Sequence, residues 1–440
     1  MPLMFSISGL RGIVNKDLTA DIVFQYASLF GQFLGRDKIV IGRDTRESGK
    51  SFRKVVIHAL NSSGCTVIDL GIAPTPTVLL MVRELRAAGG IVITASHNPI
   101  QWNALKFVSR RGQFLHQWEF NAFSKYIAEK KLSRKMSKRL NKVRLLPIGV
   151  ETHIKKIIRS LKPVGKRFKV GVDAVNAAGS VALPKILEKM GCNVYRFNCK
   201  FGTRFPRKPE PTPENIKQFC RFAQAKRLDL GFACDPDCDR LSIVDENGRA
   251  IGEENTLALA ADYVLSKKRG NVVTNLSTSA VIDDIVKMHG CFLYRTKVGE
   301  ANVVSKMEQV NALIGGEGNG GVIYPAINFT RDALVAAALI IKLLAERNKM
   351  VSEILAKYPK YYMLKKKMRI TKERFEKQKK RIIKAFKGRT DLRDGLRLTT
   401  SDYWLHIRPS RTEPFLRIIG EARSKQQIEE HIAVIKRILS

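Results

Sequence analysis

No stretch of this 440-residue chain approaches the roughly eighteen consecutive apolar residues of a membrane-crossing helix, so none is expected. The opening Met1-Pro2-Leu3-Met4-Phe5 lacks a basic segment and a long apolar one, so no secretion signal is read and a cytoplasmic location is expected. Cysteine is sparse. The seven thiols, an odd number, are scattered at positions 65, 192, 199, 220, 234, 238 and 291, which is no disulfide framework in a chain this long and fits reduced cysteines. Cys234 and Cys238 are close, but no second close pair follows, which argues against zinc. Acidic residues are also scarce: 40 Asp plus Glu face 78 Lys plus Arg, a formal net charge of +38. Such a balance draws polyanions at modest salt. No aromatic RNA-binding motif accompanies it, so nucleic-acid contact is expected to be non-specific at most. The densest basic stretches, residues 130–144 and 365–389, carry apolar residues at helical spacing (Leu132, Met136 and Leu140; Phe375, Ile382, Ile383 and Phe386). Each is expected to pack one face and solvate the other.

What the chain does have is alternation. At roughly 150 residues per domain its length suggests three or four domains. Strand-like and helix-like segments follow one another through three units of similar pattern, which predicts mixed sheets covered on both faces. Expected boundaries fall at residues 1–145, 146–248, 249–358 and 359–440, the last unit being a smaller α+β domain with a closing helix over 425–439.

Four loops interrupt this pattern with chemistry. The β-branched run Ile91 to Thr94 reads as a buried strand that stops in Ala95-Ser96-His97-Asn98-Pro99. Ligands of open α/β sheets sit beyond the carboxyl ends of strands, so Ser96 is well placed to react. Cys234-Asp235-Pro236-Asp237-Cys238-Asp239-Arg240 sets three carboxylates at alternate positions, on one side if the segment is extended. They repel one another unless a hard cation such as Mg2+ sits between them. A calcium loop of the EF-hand type competes, with Glu246 at its twelfth position, but Arg240 stands where that loop needs glycine. Gly315-Gly316-Glu317-Gly318-Asn319-Gly320-Gly321 lets backbone approach a ligand while Glu317 and Asn319 offer an acceptor and an amide. Arg408-Pro409-Ser410-Arg411-Thr412-Glu413-Pro414, with Arg417 following, groups guanidiniums and hydroxyls in a way that suits a phosphate dianion. Arg43-Asp44-Thr45-Arg46 follows a strand and reads as support for the site.

In this order the loops resemble those of the α-D-phosphohexomutase superfamily. Thr94-Ala95-Ser96-His97-Asn98-Pro99, with Asn103 and Lys106 after it, is similar to the family's phosphoserine loop, and Asp235 to Arg240 to its D-x-D-x-D-R metal loop. Ser8-Gly9-Leu10-Arg11-Gly12 resembles the family's opening arginine loop, with Ser6 and Ile7 in place of its usual Gly-Thr. The glycine-rich loop resembles the family's sugar loop, commonly G-E-x-S-G-H. Here Asn319 replaces the serine and Gly321 the histidine, as in the archaeal-type phosphoglucosamine mutase form, and one acid/base group is thereby lost. Arg411 replaces a small residue in the phosphate clamp.

The resemblance implies an α/β protein of three mixed-sheet domains plus an α+β domain around a central cleft. It implies exchange between hexose 6-phosphate and hexose 1-phosphate through phosphorylated Ser96 and a hexose 1,6-bisphosphate. Mg2+ would lie on Ser96, Asp235, Asp237 and Asp239; Arg11, His97 and Lys106 would assist. Arg240, Glu317, Asn319, Arg408, Ser410, Arg411, Thr412 and Arg417 would hold the sugar phosphate. Glucosamine phosphate is the favoured substrate, mannose or glucose phosphate the alternative. A phosphatase, or a basic nucleic-acid-associated protein on an inactive scaffold, is the rival from another class. Oligomeric state is not legible.

Overall fold

A computed structural model describes residues 3–130, 143–409 and 415–440. Four sheets succeed one another along the chain. The first has seven strands, in the order Met4–Ser6, Gly9–Ile13, Trp102–Ser109, Gly89–Ile93, Lys38–Arg43, Thr66–Ile72 and Val143–Leu145. In the second, Lys169–Asp173 lies parallel to Asn193–Phe197 and to Leu230–Cys234, and Leu241–Val244 closes the edge antiparallel. The third repeats that plan: Leu293–Thr296, Val272–Asn275 and Ile314–Glu317 run parallel, with Gly321–Ile323 antiparallel at the edge. The fourth sheet is wholly antiparallel, built from Tyr362–Arg369, Phe415–Ala422, Tyr403–Pro409, Leu396–Thr399 and Arg389–Asp391. The fold is therefore three α/β units followed by an α+β unit.

The repeat places the chemistry. Each of the first three units turns its third parallel strand back in an antiparallel hairpin, and the turn is one of the predicted loops. Ser96 lies between Gly89–Ile93 and Trp102–Ser109, the aspartates between Leu230–Cys234 and Leu241–Val244, and Gly318 to Gly320 between Ile314–Glu317 and Gly321–Ile323. In the fourth unit Tyr403–Pro409 and Phe415–Ala422 flank the phosphate-clamp segment.

Helices cover the sheets. Thr19 caps Ala20–Phe33, its side chain accepting from the backbone N–H of Ile22. Asp332 caps Ala333–Arg347, accepting from Leu334 and Val335. That helix is apolar nearly all round because it is buried on most sides, within one core shared by the second and third units. Among the described residues no helix is long and apolar enough to cross a membrane.

The expected helix over the first basic stretch falls largely on residues 131–142, outside the described residues; residues 143–145 form a strand beside Thr66–Ile72. Of the second basic stretch, residues 365–369 belong to a strand and Lys372–Ala385 is the helix. It buries Phe375 and Ile382 as the spacing predicts, with Phe386 buried just beyond it.

Candidate functional site

Ser96, in the turn after Gly89–Ile93, has φ +50°, in the left-handed region where a side chain is strained. Arg46, wholly buried, holds it there. One guanidinium nitrogen donates to the carbonyls of Ser96 (2.6 Å) and Asn98 (2.7 Å), a second to those of Pro99 (2.8 Å) and Trp102 (3.1 Å), and Nε to Asp44 (3.0 Å). Asp44 also accepts from the Thr94 hydroxyl at 2.7 Å. Arg46 and Asp44, expected to support the site, thus contact the serine turn directly.

The Ser96 hydroxyl donates to Asp235 Oδ2 at 2.7 Å, across 139 residues of sequence. The aspartate segment is a turn and not the extended run assumed from sequence. Cys238 has φ +58°, and the backbone N–H groups of Asp239 and Arg240 donate to Asp235 Oδ1. The turn still gathers the carboxylates: Asp235, Asp237 and Asp239 are all buried and each offers an oxygen within 4.8 Å of the others. Glu246, the calcium-loop position, instead accepts from Ser352.

Two observations fit a cation at the trio. Among the described residues, Asp237 Oδ1 and Asp239 Oδ1 are buried with no hydrogen-bond partner, a costly state for a carboxylate oxygen. Burial, reinforced by Asp239 and Asp237, pushes the Asp235 carboxyl well above the usual range, as expected of acids crowded without a counterion. Burial also pushes Asp237 up, but the ammonium of Lys106 and the bonds around it outweigh that and hold it low. All-oxygen donors of this kind suit a hard divalent ion.

The remaining residues expected at the site divide into three groups. Lys106, on Trp102–Ser109, donates to Asp237 Oδ2 at 2.7 Å, joined there by the Thr75 hydroxyl at 2.6 Å. His97 Nδ1 lies 3.3 Å from the Ser96 hydroxyl. Burial, with Arg240 and Arg11 nearby, lowers its pKa far below the ordinary value. Arg11 donates to the Asn98 side chain at 3.3 Å, which brings the opening loop to the serine turn. Gly9 allows this approach: at φ +106°, a Cβ there would stand 2.2 Å from the Leu105 carbonyl oxygen.

The sugar loop packs on the aspartate hairpin, the Leu241 N–H donating to the Gly320 carbonyl at 3.0 Å. Glu317 is buried and already well supplied with donors. Oε1 accepts from Asn275 (2.9 Å) and the Gly299 N–H (3.0 Å), Oε2 from Arg331 (2.9 Å) and Asn319 (3.4 Å). Arg240 donates to Glu210 at 2.7 Å.

In the phosphate clamp, Ser410, Arg411 and Thr412 lie outside the described residues. Arg408 and Arg417 face one another across adjacent strands, a like-charge pair that an anion would relieve. Arg408 also lies 3.9 Å from Asp394.

Sequence reasoning missed Arg331. It stands just before an apolar helix, with no motif to mark it, yet its guanidinium meets Asp239 Oδ2 (2.6 Å), Glu317 Oε2 (2.9 Å) and Glu300 Oε2 (3.0 Å).

Comparison with known proteins agrees with this geometry. Family models described as phosphoglucomutase/phosphomannomutase alpha/beta/alpha domains I, II and III match residues 2–134, 151–248 and 253–362. The chain is 37% identical to a phosphoglucomutase/phosphomannomutase of Thermococcus kodakarensis, over 98% of this chain and 97% of that protein. It is 33% identical to a probable phosphoglucosamine mutase of Methanopyrus kandleri, over 97% and 95%. A crystal structure of a phosphoglucomutase/phosphomannomutase family protein from Burkholderia thailandensis superposes with a TM-score of 0.87 at 24% identity, covering 99% of this chain and 98% of that one.

Proposed function

The chain belongs to the α-D-phosphohexomutase superfamily and is an intramolecular phosphotransferase, and we propose that it carries the phosphoryl group on Ser96 and prefers glucosamine phosphate. The observation that carries this reading is the bond from the Ser96 hydroxyl to Asp235, beside which Asp237 and Asp239 each keep one buried oxygen with no hydrogen bond among the described residues.

In the first transfer the bond from phosphorus to the Ser96 oxygen breaks. A new bond forms from phosphorus to the free hydroxyl oxygen of the hexose phosphate, whose proton leaves to a base. His97 Nδ1, 3.3 Å from the Ser96 oxygen, can relay that proton to the departing serine oxygen, which leaves as a hydroxyl. The resulting 1,6-bisphosphate reverses end for end, and its other phosphoryl group returns to Ser96 with the opposite proton movement. Lys106 and Arg11 hold positive charge near the serine, and Arg408 and Arg417, with Ser410, Arg411 and Thr412, anchor the phosphate that is not transferred. Asp235, Asp237, Asp239 and Ser96 would hold Mg2+, which when bound neutralises charge on the transferred group.

Substrate preference rests on the Gly-Glu-Gly-Asn-Gly-Gly form of the sugar loop and on the names of relatives such as that from Methanopyrus kandleri. Glu317 already receives four donors, so it meets an amino sugar only by releasing the long Asn319 contact. Glucose or mannose phosphate is the second reading, favoured by the name of the Thermococcus relative. Rates measured side by side on the three 6-phosphates decide between them: a preference for the amino sugar supports the proposal, and equal rates remove it. Ser96→Ala abolishes mutase activity while leaving any salt-sensitive polyanion binding in place.

A further inference from the structure

We propose that Arg331 is a positioning residue that joins the metal loop to the sugar loop, so that cation affinity and sugar recognition in this chain depend on one guanidinium. The inference rests on the mutase reading of the site. Arg331 is 8% exposed and each arm of its fork is committed: Nε to Glu300 at 3.0 Å, one terminal nitrogen to Glu317 at 2.9 Å, the other to Asp239 Oδ2 at 2.6 Å. Asp239 therefore has one oxygen fixed by Arg331, and its other, buried with no hydrogen bond among the described residues and 3.9 Å from Arg240 Nε, remains for a cation. Glu317 is fixed through the same planar group, which holds the two loops in one register.

The arginine is itself anchored. Its backbone N–H donates to Glu300 at 3.1 Å, and the next residue, Asp332, caps the helix Ala333–Arg347 and pairs with buried His153 at 2.8 Å. Room for the side chain comes from the sugar loop. A Cβ on Gly321 would stand 2.2 Å from Arg331 Cδ and 2.7 Å from Cγ. Gly321 is the position at which the common form of the loop carries histidine, so in this chain that space is filled by the stem of Arg331. An ammonium cannot replace the fork, because a single nitrogen cannot span three carboxylates in that plane.

The test uses the full chain and Mn2+ alone, with free Mn2+ read by electron paramagnetic resonance, followed by steady-state kinetics on glucosamine 6-phosphate. For Arg331→Lys, which keeps the charge, Mn2+ affinity falls about ten-fold, the range seen when a ligand's orienting partner is lost. KM rises with it. A merely structural role would lower the melting temperature and leave Mn2+ affinity and KM unchanged, and that result overturns the proposal. Should Arg331→Lys fail to fold, Glu317→Gln decides. It touches no aspartate of the trio, yet it removes the charge that braces one arm of Arg331, so the guanidinium and Asp239 are held less firmly and Mn2+ binds more weakly; unchanged affinity overturns the inference. If the unaltered protein binds no Mn2+, the reading of the trio fails. If it binds and the variants bind equally well, the role of Arg331 alone fails.

Discussion

Replacing Arg46 with lysine removes the fork that holds the serine turn while keeping its charge. The native side chain makes five hydrogen bonds, four of them to main-chain carbonyls between Ser96 and Trp102. An ammonium has three protons, so at least two acceptors in a buried turn are left unmet, each costing about 1–3 kcal/mol. The guanidinium also lies over the Phe205 ring, 5.0 Å from its centroid, a contact that lysine reproduces poorly. Relaxation of the turn offsets part of this, and a net loss of about 3 kcal/mol is expected from the unmet acceptors. That is a large share of a typical total of roughly 5–15 kcal/mol. Because Ser96 is held at φ +50° by these same bonds, kcat falls together with stability. Urea denaturation gives the free energy from the midpoint and slope, and the mutase assay gives kcat. A loss below about 1 kcal/mol with kcat unchanged would refute the claim that Arg46 fixes the reacting serine.

The fourth unit docks through His406, whose ring nitrogens meet the Ser277 hydroxyl (2.8 Å) and the Asp394 carbonyl (2.7 Å), with Arg397 and Arg408 nearby. Burial lowers this histidine from 6.5 to about 4. The unfolded chain therefore binds the extra proton first: stability is complete above pH 6.5 and falls as pH drops toward 4, by at most roughly 3 kcal/mol. Melting temperature followed from pH 7 to about 4 shows the decline, and His406→Gln flattens the part of it due to this group. Gly320 sits at φ +84°, where a Cβ would meet the Leu241 carbonyl oxygen at 2.3 Å. Gly320→Ala forces the sugar loop away from the aspartate hairpin, and a drop of at least about 2 kcal/mol with a raised KM is expected from thermal melts and kinetics.

The loops were legible because each gathers small or turn-forming residues with chemical ones in a short run of sequence, a local signal. The closing helix of the last unit, expected over 425–439, is found at Lys425–Leu439. What lay between distant segments was not. Nothing near Lys106 indicates that its partner is Asp237, and nothing near Arg331 indicates three acids drawn from two other loops and a helix N-terminus. The helices Gln117–Glu129 and Gly149–Leu161 were passed over beside the basic stretch, although the second has a clear apolar stripe of Ile154, Ile157 and Leu161. The Cys234 and Cys238 pair proved to be packing: both thiols lie against Gly179, where a Cβ would stand 2.7 and 3.1 Å from them.

The most direct test is whether Ser96 bears phosphorus. Intact-mass and peptide analysis of the purified protein, after incubation with Mg2+ and glucose 1,6-bisphosphate, should find one phosphoryl group on Ser96 that is discharged by added hexose phosphate. A protein that turns over hexose phosphates while Ser96 stays unmodified, or that carries the group on another residue, would contradict the account.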